Sequence, residues 1–221
     1  MWLLLGELLA RLDGGLRLLL ADGIGCGADA VAFGYHDRGK PYLDAGAGAD
    51  FLGKLPSFNL SHSGGVAALA VSSDGDVGID IEAHRSINPS IAKRYFSPLE
   101  CAGLDKLDPA ERLVRFFDLW VGKEAALKAS GLGVGGGLDQ FSFDVDALMH
   151  GRTKRVGPLS VPPTCGSPEA WKICFFDPMA IGAREALMSD CQMSGAVAWY
   201  SETEKEAAIV PRFRVIGFDD I

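Results

Sequence analysis

Residues 116–131 read Phe116-Phe-Asp-Leu-Trp-Val-Gly-Lys-Glu-Ala-Ala-Leu-Lys-Ala-Ser-Gly131. Apolar residues recur here at three- and four-residue spacing, which predicts a helix that buries one face. Gly131 follows the last periodic residue, as expected where a helix ends on a left-handed glycine. Glu124 and Lys128 are four residues apart, so their side chains rise over the same face and can meet. Such a pair is usually a solvated surface, but the aromatic residues around it indicate a buried helix, where an unused charge is costly.

A second stretch, Val77-Gly-Ile-Asp-Ile-Glu82, has the alternation of a strand. A period of two turns its three β-branched residues to the core and places Gly78, Asp80 and Glu82 together on the other face. Two interpretations are open. The face is an exposed edge, or it is a site for a divalent cation, because hard cations bind clustered carboxylate oxygens. Gly78 would then leave room above the strand for a ligand.

Residues 58–71 contain two strand-like segments separated by Gly64 and Gly65, which predicts a β-hairpin. Alternation places Asn59, Ser61 and Ser63 on one side of the first strand and His62 on the other. A lone histidine is more often structural than functional, so His62 by itself predicts no site.

The remaining patterns predict a helical region that follows a largely β segment. The region from residue 87 to residue 130 is predicted to be helical, and two helix starts stand out within it. Ser97 precedes Pro98 with Glu100 completing a capping box, and Asp108 precedes Pro109. Further strands are expected at Phe141–Val145, Trp171–Phe176 and Ala196–Tyr200.

Composition excludes some classes of function. The 221 residues carry a net charge of −8, which argues against generic binding to nucleic acid or to an anionic membrane. The five cysteines are odd in number and form no Cys-x-x-Cys pair, so a disulfide framework is not expected and a reducing cytoplasm is the better fit. The four histidines lack zinc-ligand spacing.

The apolar start of the chain is predicted to be a core helix. Its leucines follow an amphipathic helical period, at Leu5, Leu8, Leu9, Leu12, Leu16 and Leu19. Charged residues interrupt the segment too often for a membrane span, and it has no basic region like that of a signal peptide.

Three fragments, in this order and spacing, resemble the phosphopantetheinyl transferases of the surfactin-synthetase-activating (Sfp) type. They are Phe58-Asn-Leu-Ser-His-Ser63, Val77-Gly-Ile-Asp-Ile-Glu82 and Trp120-x-x-Lys-Glu-Ala-x-x-Lys128. Gly39-Lys40-Pro41 and Ala92-Lys-Arg-Tyr-Phe-Ser97 are also similar to family signatures. The match runs from the first helix to about Val145, and the last two of the three fragments are highly specific.

The resemblance implies an α+β fold, the 4′-phosphopantetheinyl transferase fold, in which two similar α/β halves are related by pseudo-twofold symmetry and the active site lies between them. The N-terminal half would be residues 1–75 and the C-terminal half residues 76–221. The implied activity is transfer of the 4′-phosphopantetheine moiety of coenzyme A to a serine of an apo acyl or peptidyl carrier protein. Such a transfer would serve secondary-metabolite or fatty-acid biosynthesis in the cytoplasm. The two-halves architecture indicates a monomer, and the net charge of −8 indicates that it binds neither nucleic acid nor membrane.

The resemblance also implies roles for individual residues. Asp80, Glu82 and Glu124 would hold Mg²⁺, and Glu124, directly or through water, would be the base for the carrier serine. Lys128 would stabilise or protonate the departing 3′,5′-ADP. The implied contacts to coenzyme A are Arg38, Gly39, Lys40, Asn59, Ser61, His62, Lys123 and Lys128.

Two departures from the family pattern bear on activity. Family members usually carry further residues before the first helix, so part of the nucleotide pocket and one edge strand are expected to be missing here. The region 178–193 is longer than the usual connection. The alternative function is therefore a non-catalytic module that binds coenzyme A or a carrier protein. A third, metal-dependent phosphohydrolase activity is weaker, because no further Asp/His metal motif is present.

Overall fold

The computed structural model describes residues 14–22, 24–44, 55–73, 75–133, 137–148, 154–180 and 191–201. Residues 14–22 are helical, as predicted. The earlier leucines of that predicted helix, most of the long connection after residue 178 and the segment after Ser201 lie outside the described residues.

The described elements form a mixed α and β structure, as predicted. The helices are α1 (14–22), α2 (Ser90–Tyr95), α3 (Pro98–Leu104) and α4 (Pro109–Ser130). The strands are β1 (Phe33–Tyr35), β2 (Pro41–Leu43), β3 (Ser57–Ser63), β4 (Val66–Ser72), β5 (Val77–Ala83), β6 (Lys154–Val156), β7 (Trp171–Phe176) and β8 (Met193–Tyr200).

These strands form three antiparallel sheets. β1 pairs with β2, and β3 pairs with β4 in the predicted hairpin. The third sheet has the order β5-β8-β7-β6, so β5 is one of its edge strands. The predicted strands at Trp171–Phe176 and Ala196–Tyr200 are confirmed, although the second begins earlier, at Met193.

Helix α4 lies across β5 and β8, and its packing creates the main core. Its start and end follow the sequence signals. Asp108 accepts hydrogen bonds from the backbone N–H groups of Ala110 and Glu111, and Gly131 ends the helix with a φ of 69°. These contacts satisfy groups that every helix leaves unpaired at its ends. The helix thus begins at Pro109 and ends before Gly131, as the two sequence signals predicted.

Gly78 has a different role from the one predicted. A Cβ atom at this position would lie 2.1 Å from the backbone oxygen of Ala125 and 2.4 Å from the backbone nitrogen of Ala129. The prediction that Gly78 leaves room for a ligand is therefore wrong. The missing side chain lets the backbone of α4 come close to β5, which brings a carboxylate on the helix near those on the strand.

The predicted strand at Phe141–Val145 is also wrong. Its only β pairing among the described residues is an isolated bridge between Ser142 and Ser160. The backbone N–H of Phe143 donates to the carboxylate of Glu100, and the backbone oxygen of Phe141 accepts from Lys123. Buried side chains take the backbone groups that a neighbouring strand would otherwise pair with, because such groups must be satisfied.

No helix within the described ranges combines the length and apolar composition that crossing a membrane requires.

Candidate active site

The carboxylate of Asp80 lies almost buried between β5 and α4, with 6% of the residue exposed. Its Oδ1 atom accepts a hydrogen bond of 2.7 Å from Lys128 Nζ and one of 2.8 Å from Ser61 Oγ. Its Oδ2 atom is buried and has no hydrogen-bond partner among the residues that the structure describes. A buried carboxylate oxygen without a partner is destabilising unless something neutralises it. A cation bound beside Oδ2 would supply this neutralising charge.

Glu82 follows two residues later on the same strand. Its Oε2 atom accepts from Ser63 Oγ at 3.0 Å and from Arg85 Nη1 at 2.7 Å. The carboxylate is partly exposed, so the strand leads from the buried Asp80 towards solvent.

Glu124 contributes a third carboxylate from the facing surface of α4. Burial raises the pKa of Glu124, the negative charges of Asp80 and Glu82 raise it further, and Lys128 opposes the shift. Burial also raises the pKa of Asp80, with Lys128 opposing and Glu82 adding to the shift. The three carboxylates therefore interact electrostatically, as expected for groups that share one site.

The arrangement fits a hard divalent cation by its chemistry, although it is not a closed coordination sphere. Within the described part of the chain, no three His, Cys, Asp or Glu side chains are close enough to hold a metal ion as they stand. The site nevertheless offers carboxylate oxygens from two elements and the unpartnered Oδ2 atom of Asp80. Such oxygens are the ligands that Mg²⁺ prefers.

Lys128 supplies the positive charge beside these carboxylates. Its ammonium donates to Asp80 and, at 3.1 Å, to the backbone oxygen of Ile79. The sequence predicted that Lys128 could contact Glu124 along the helix, but its ammonium instead bonds to Asp80 on β5. Lys128 remains partly exposed, so its ammonium is accessible from the surface of the site.

Lys123 does not lie with this group. Its side chain is fully buried on the other side of α4, 2.7 Å from the carboxylate of Glu100. It also donates to the backbone oxygens of Leu138 and Phe141. A ligand in the site cannot reach this ammonium, so the structure gives no support to the predicted contact between Lys123 and coenzyme A.

Arg38 and Lys40 approach the site from the turn between β1 and β2. Lys40 Nζ lies 3.2 Å from Asp76 Oδ1 and donates to the backbone oxygen of Ala129 at 3.3 Å. The guanidinium of Arg38 donates to the backbone oxygen of Leu132. Both cations therefore sit at the C-terminal end of α4, where the helix carries partial negative charge. A cavity of about 280 Å³ opens beside Lys40.

Gly39 lies in the turn itself, with a φ of 83° that favours glycine. This conformation lets the chain reverse between the two basic residues.

Asn59, Ser61 and His62 occupy opposite faces of β3. Asn59 and Ser61 are buried and face β5, whereas His62 is exposed on the other side. The predicted alternation of this strand is confirmed. The three residues do not converge on one point, because neighbouring side chains of a strand point in opposite directions.

The side-chain partners of two residues, Glu100 and Ser63, were not predicted from the sequence. Glu100 was expected only as part of the capping box, which the structure confirms, but it is also the counter-ion of Lys123. Ser63 was placed on the polar face of β3 without a role, yet it donates to Glu82. A signal for Ser63 existed in the sequence, because Ser61 and Ser63 precede Asp80 and Glu82 by the same 19 residues.

Comparisons with known proteins show which proteins this chain resembles. Residues 76–176 match the family model of the 4′-phosphopantetheinyl transferase superfamily. The chain is 37% identical over 129 residues to the 4′-phosphopantetheinyl transferase of Bacillus subtilis, covering 58% of this chain and 53% of that protein. It is 40% identical over 121 residues to the 4′-phosphopantetheinyl transferase HetI of Nostoc sp., covering 54% and 49%.

Similarity extends to the 4′-phosphopantetheinyl transferase Sfp of Bacillus subtilis strain 168, at 37% identity over 114 residues. That match covers 51% of this chain and 46% of Sfp. The chain thus spans about half the length of the curated relatives it matches. The matched segment contains β5 and α4 and with them all three carboxylates of the site. Residues 76–176, which carry these three carboxylates, are therefore similar to the 4′-phosphopantetheinyl transferase superfamily.

Proposed function

We propose that this protein transfers the 4′-phosphopantetheine moiety of coenzyme A to a serine of an apo acyl or peptidyl carrier protein. The observation that supports this most is the buried, unpartnered Oδ2 atom of Asp80, close to the negative charges of Glu82 and Glu124. A cation held by these carboxylates would neutralise negative charge on a pyrophosphate substrate.

Asp80, Glu82 and Glu124 would hold Mg²⁺ as the resident ion. When bound, the ion would neutralise charge on the pyrophosphate of coenzyme A and favour attack on it. The oxygen-rich chemistry of the three side chains and the unpartnered Oδ2 atom of Asp80 support this assignment.

Glu124 is the proposed base for the carrier serine. The serine oxygen would form a bond to the phosphorus nearer the pantetheine arm, the bond from this phosphorus to the bridging oxygen would break, and 3′,5′-ADP would leave. The serine proton would pass to the Glu124 carboxylate. Burial and the neighbouring carboxylates raise the pKa of Glu124 in the metal-free protein, and glutamate is one of the side chains that act as general bases.

Lys128 would offset the negative charge that develops on the departing 3′,5′-ADP. Its ammonium is partly exposed, and it is already held at the carboxylates by Asp80 and the Ile79 carbonyl. Arg38, Lys40 and the exposed His62 remain the proposed contacts to the phosphates and nucleotide of coenzyme A, with Gly39 shaping the turn. We further propose that the protein works as a cytoplasmic monomer that binds neither nucleic acid nor membrane.

The test is a carrier-loading assay. The protein is incubated with coenzyme A, Mg²⁺ and several apo carrier proteins of the acyl and peptidyl types, and the mass of each carrier is measured. We expect the mass of at least one carrier to rise by that of the phosphopantetheine arm. We expect Asp80→Asn and Glu124→Gln to abolish loading, while Glu111→Gln, an exposed carboxylate on the same helix, leaves it intact.

An unchanged mass for every carrier would contradict the proposed transfer. If calorimetry then shows binding of coenzyme A, the result would favour the non-catalytic binding module. Release of phosphate from coenzyme A without a carrier would instead favour a phosphohydrolase.

A further inference from the structure

β5 is an edge strand of its sheet, and side chains of β3 accept hydrogen bonds from three of its outer backbone N–H groups. The backbone N–H of Ile79 donates to Asn59 Oδ1 at 2.8 Å, that of Ile81 to Ser61 Oγ at 3.2 Å, and that of Ala83 to Ser63 Oγ at 3.0 Å. The donors and the acceptors both advance by two residues, so β3 runs parallel to β5. Three side chains of β3 thus take the place of a backbone ladder at this edge.

The two serines make a second bond that Asn59 does not. Ser61 Oγ donates to Asp80 Oδ1 at 2.8 Å, and Ser63 Oγ donates to Glu82 Oε2 at 3.0 Å. Each hydroxyl therefore accepts from the backbone of β5 and donates to the carboxylate of the residue before it in that strand. A hydroxyl has one donor and can accept as well, so both capacities are used. At the equivalent place opposite Asn59, β5 has Gly78, which offers no carboxylate.

We infer that Ser61 and Ser63 are positioning residues, which fix the Asp80 and Glu82 carboxylates on β5 in the orientation that a divalent cation needs. The inference rests on the metal site of the proposed function. This role replaces the contact to coenzyme A that the family resemblance implied for Ser61. The Ser61 hydroxyl is buried, and both of its hydrogen bonds are made to β5. Partners that orient metal-binding carboxylates commonly alter metal affinity when they are removed.

The contact between the strands can be tested without any metal. In metal-free protein, amide hydrogen exchange measured by NMR should be faster at Ile81 in Ser61→Ala and faster at Ala83 in Ser63→Ala. Ser57→Ala is the matched control, because Ser57 lies on the same face of β3 and donates at 3.2 Å to Asp76, which is exposed and outside the proposed metal site. It should leave exchange at both amides unchanged.

The positioning role is tested by calorimetric titration with Mg²⁺. We expect Ser61→Ala and Ser63→Ala each to weaken Mg²⁺ binding by about 10- to 100-fold, and Ser57→Ala to leave it unchanged. Ser63→Thr keeps the hydroxyl at a half-buried position and should restore the affinity. Coenzyme A binding, measured in the presence of a chelator, should be the same in the wild type and in both alanine variants.

The outcomes separate this inference from the proposed function. A wild type that binds Mg²⁺, together with alanine variants that bind it equally well, would overturn the positioning role and leave the proposed function intact. Loss of metal-free coenzyme A binding in Ser61→Ala with unchanged Mg²⁺ affinity would make Ser61 a substrate contact instead. A wild type that binds no Mg²⁺ would refute the metal site and the positioning role together.

Discussion

The ammonium of Lys123 lies 2.7 Å from the carboxylate of Glu100, and neither side chain exposes any surface to solvent. The pair joins α4 to α3, and each partner has further bonds. Lys123 donates to two backbone oxygens of the segment 138–141, and Glu100 accepts from the backbone N–H groups of Ser97 and Phe143. Lys123 immediately precedes Glu124, so this buried network fixes the position of α4 beside the candidate site.

Removal of Lys123 should destabilise the protein strongly. Lys123→Met leaves the Glu100 carboxylate buried without its counter-ion, which costs about 3–5 kcal/mol of unfolding free energy. Urea unfolding followed by circular dichroism measures the loss. Lys106→Met is the control, because Lys106 is exposed, and a surface substitution changes stability by less than about 0.5 kcal/mol. Equal stability of the two variants would show that the buried pair does not hold α3 and α4 together.

The stability of the metal-free protein should depend on pH through Asp80 and Glu124. Burial raises both carboxyl pKa values in the folded state. The folded state therefore binds more protons than the unfolded state above about pH 4. The stability that these protons provide is fully present below the unfolded-state pKa values and is lost as pH rises through the folded-state pKa values.

Asp80→Asn and Glu124→Gln remove the titrating groups. We therefore expect the unfolding free energy of each variant, relative to the wild type, to increase as the pH rises from about 4 to about 8. Urea unfolding in a chelator across this range checks the direction. Stability curves that run parallel at all pH values would contradict the raised pKa values.

Mg²⁺ should stabilise the folded protein through the same carboxylates. An ion that binds only the folded state, at about 100 times its dissociation constant, adds about 2.7 kcal/mol to the unfolding free energy. Thermal unfolding with Mg²⁺ and with a chelator should show this gain in the wild type and not in Asp80→Asn. A similar gain in both proteins would place the bound ion elsewhere.

Gly78→Ala should destabilise the protein and disturb the site together. The added Cβ atom would lie within 2.4 Å of two backbone atoms of α4, and backbone cannot move aside as a flexible side chain can. Over-packing of this kind costs about 1–3 kcal/mol. Gly157→Ala is the matched control, because its Cβ would meet nothing closer than the Trp171 oxygen at 3.9 Å. Equal unfolding free energies of the two variants would mean that α4 does not need the close approach.

Patterns local in sequence predicted the elements around the site well. The helix ending at Gly131, the caps at Ser97 and Asp108, and the hairpin of β3 and β4 are all confirmed. Each depends on bonds between residues close in the chain, which sequence spacing encodes directly. The predicted strand at Phe141–Val145 failed, because its backbone groups bond to Glu100 and Lys123 from distant elements.

For the candidate site too, the sequence predicted the local arrangement of the residues but not their long-range contacts. The sequence alone placed Asp80 and Glu82 on one face of a strand and Glu124 and Lys128 on one face of a helix, because periods of 2 and 3.6 set which side chains point together. Only the tertiary structure decided that Lys128 bonds to Asp80, that Lys123 is locked in the core, and that Gly78 brings the helix onto the strand. These relationships join residues far apart in sequence, and packing determines them. The 19-residue offset between the serines and the carboxylates was present in the sequence. This offset indicates contacts between the serines and the carboxylates only once the structure shows that β3 and β5 lie side by side.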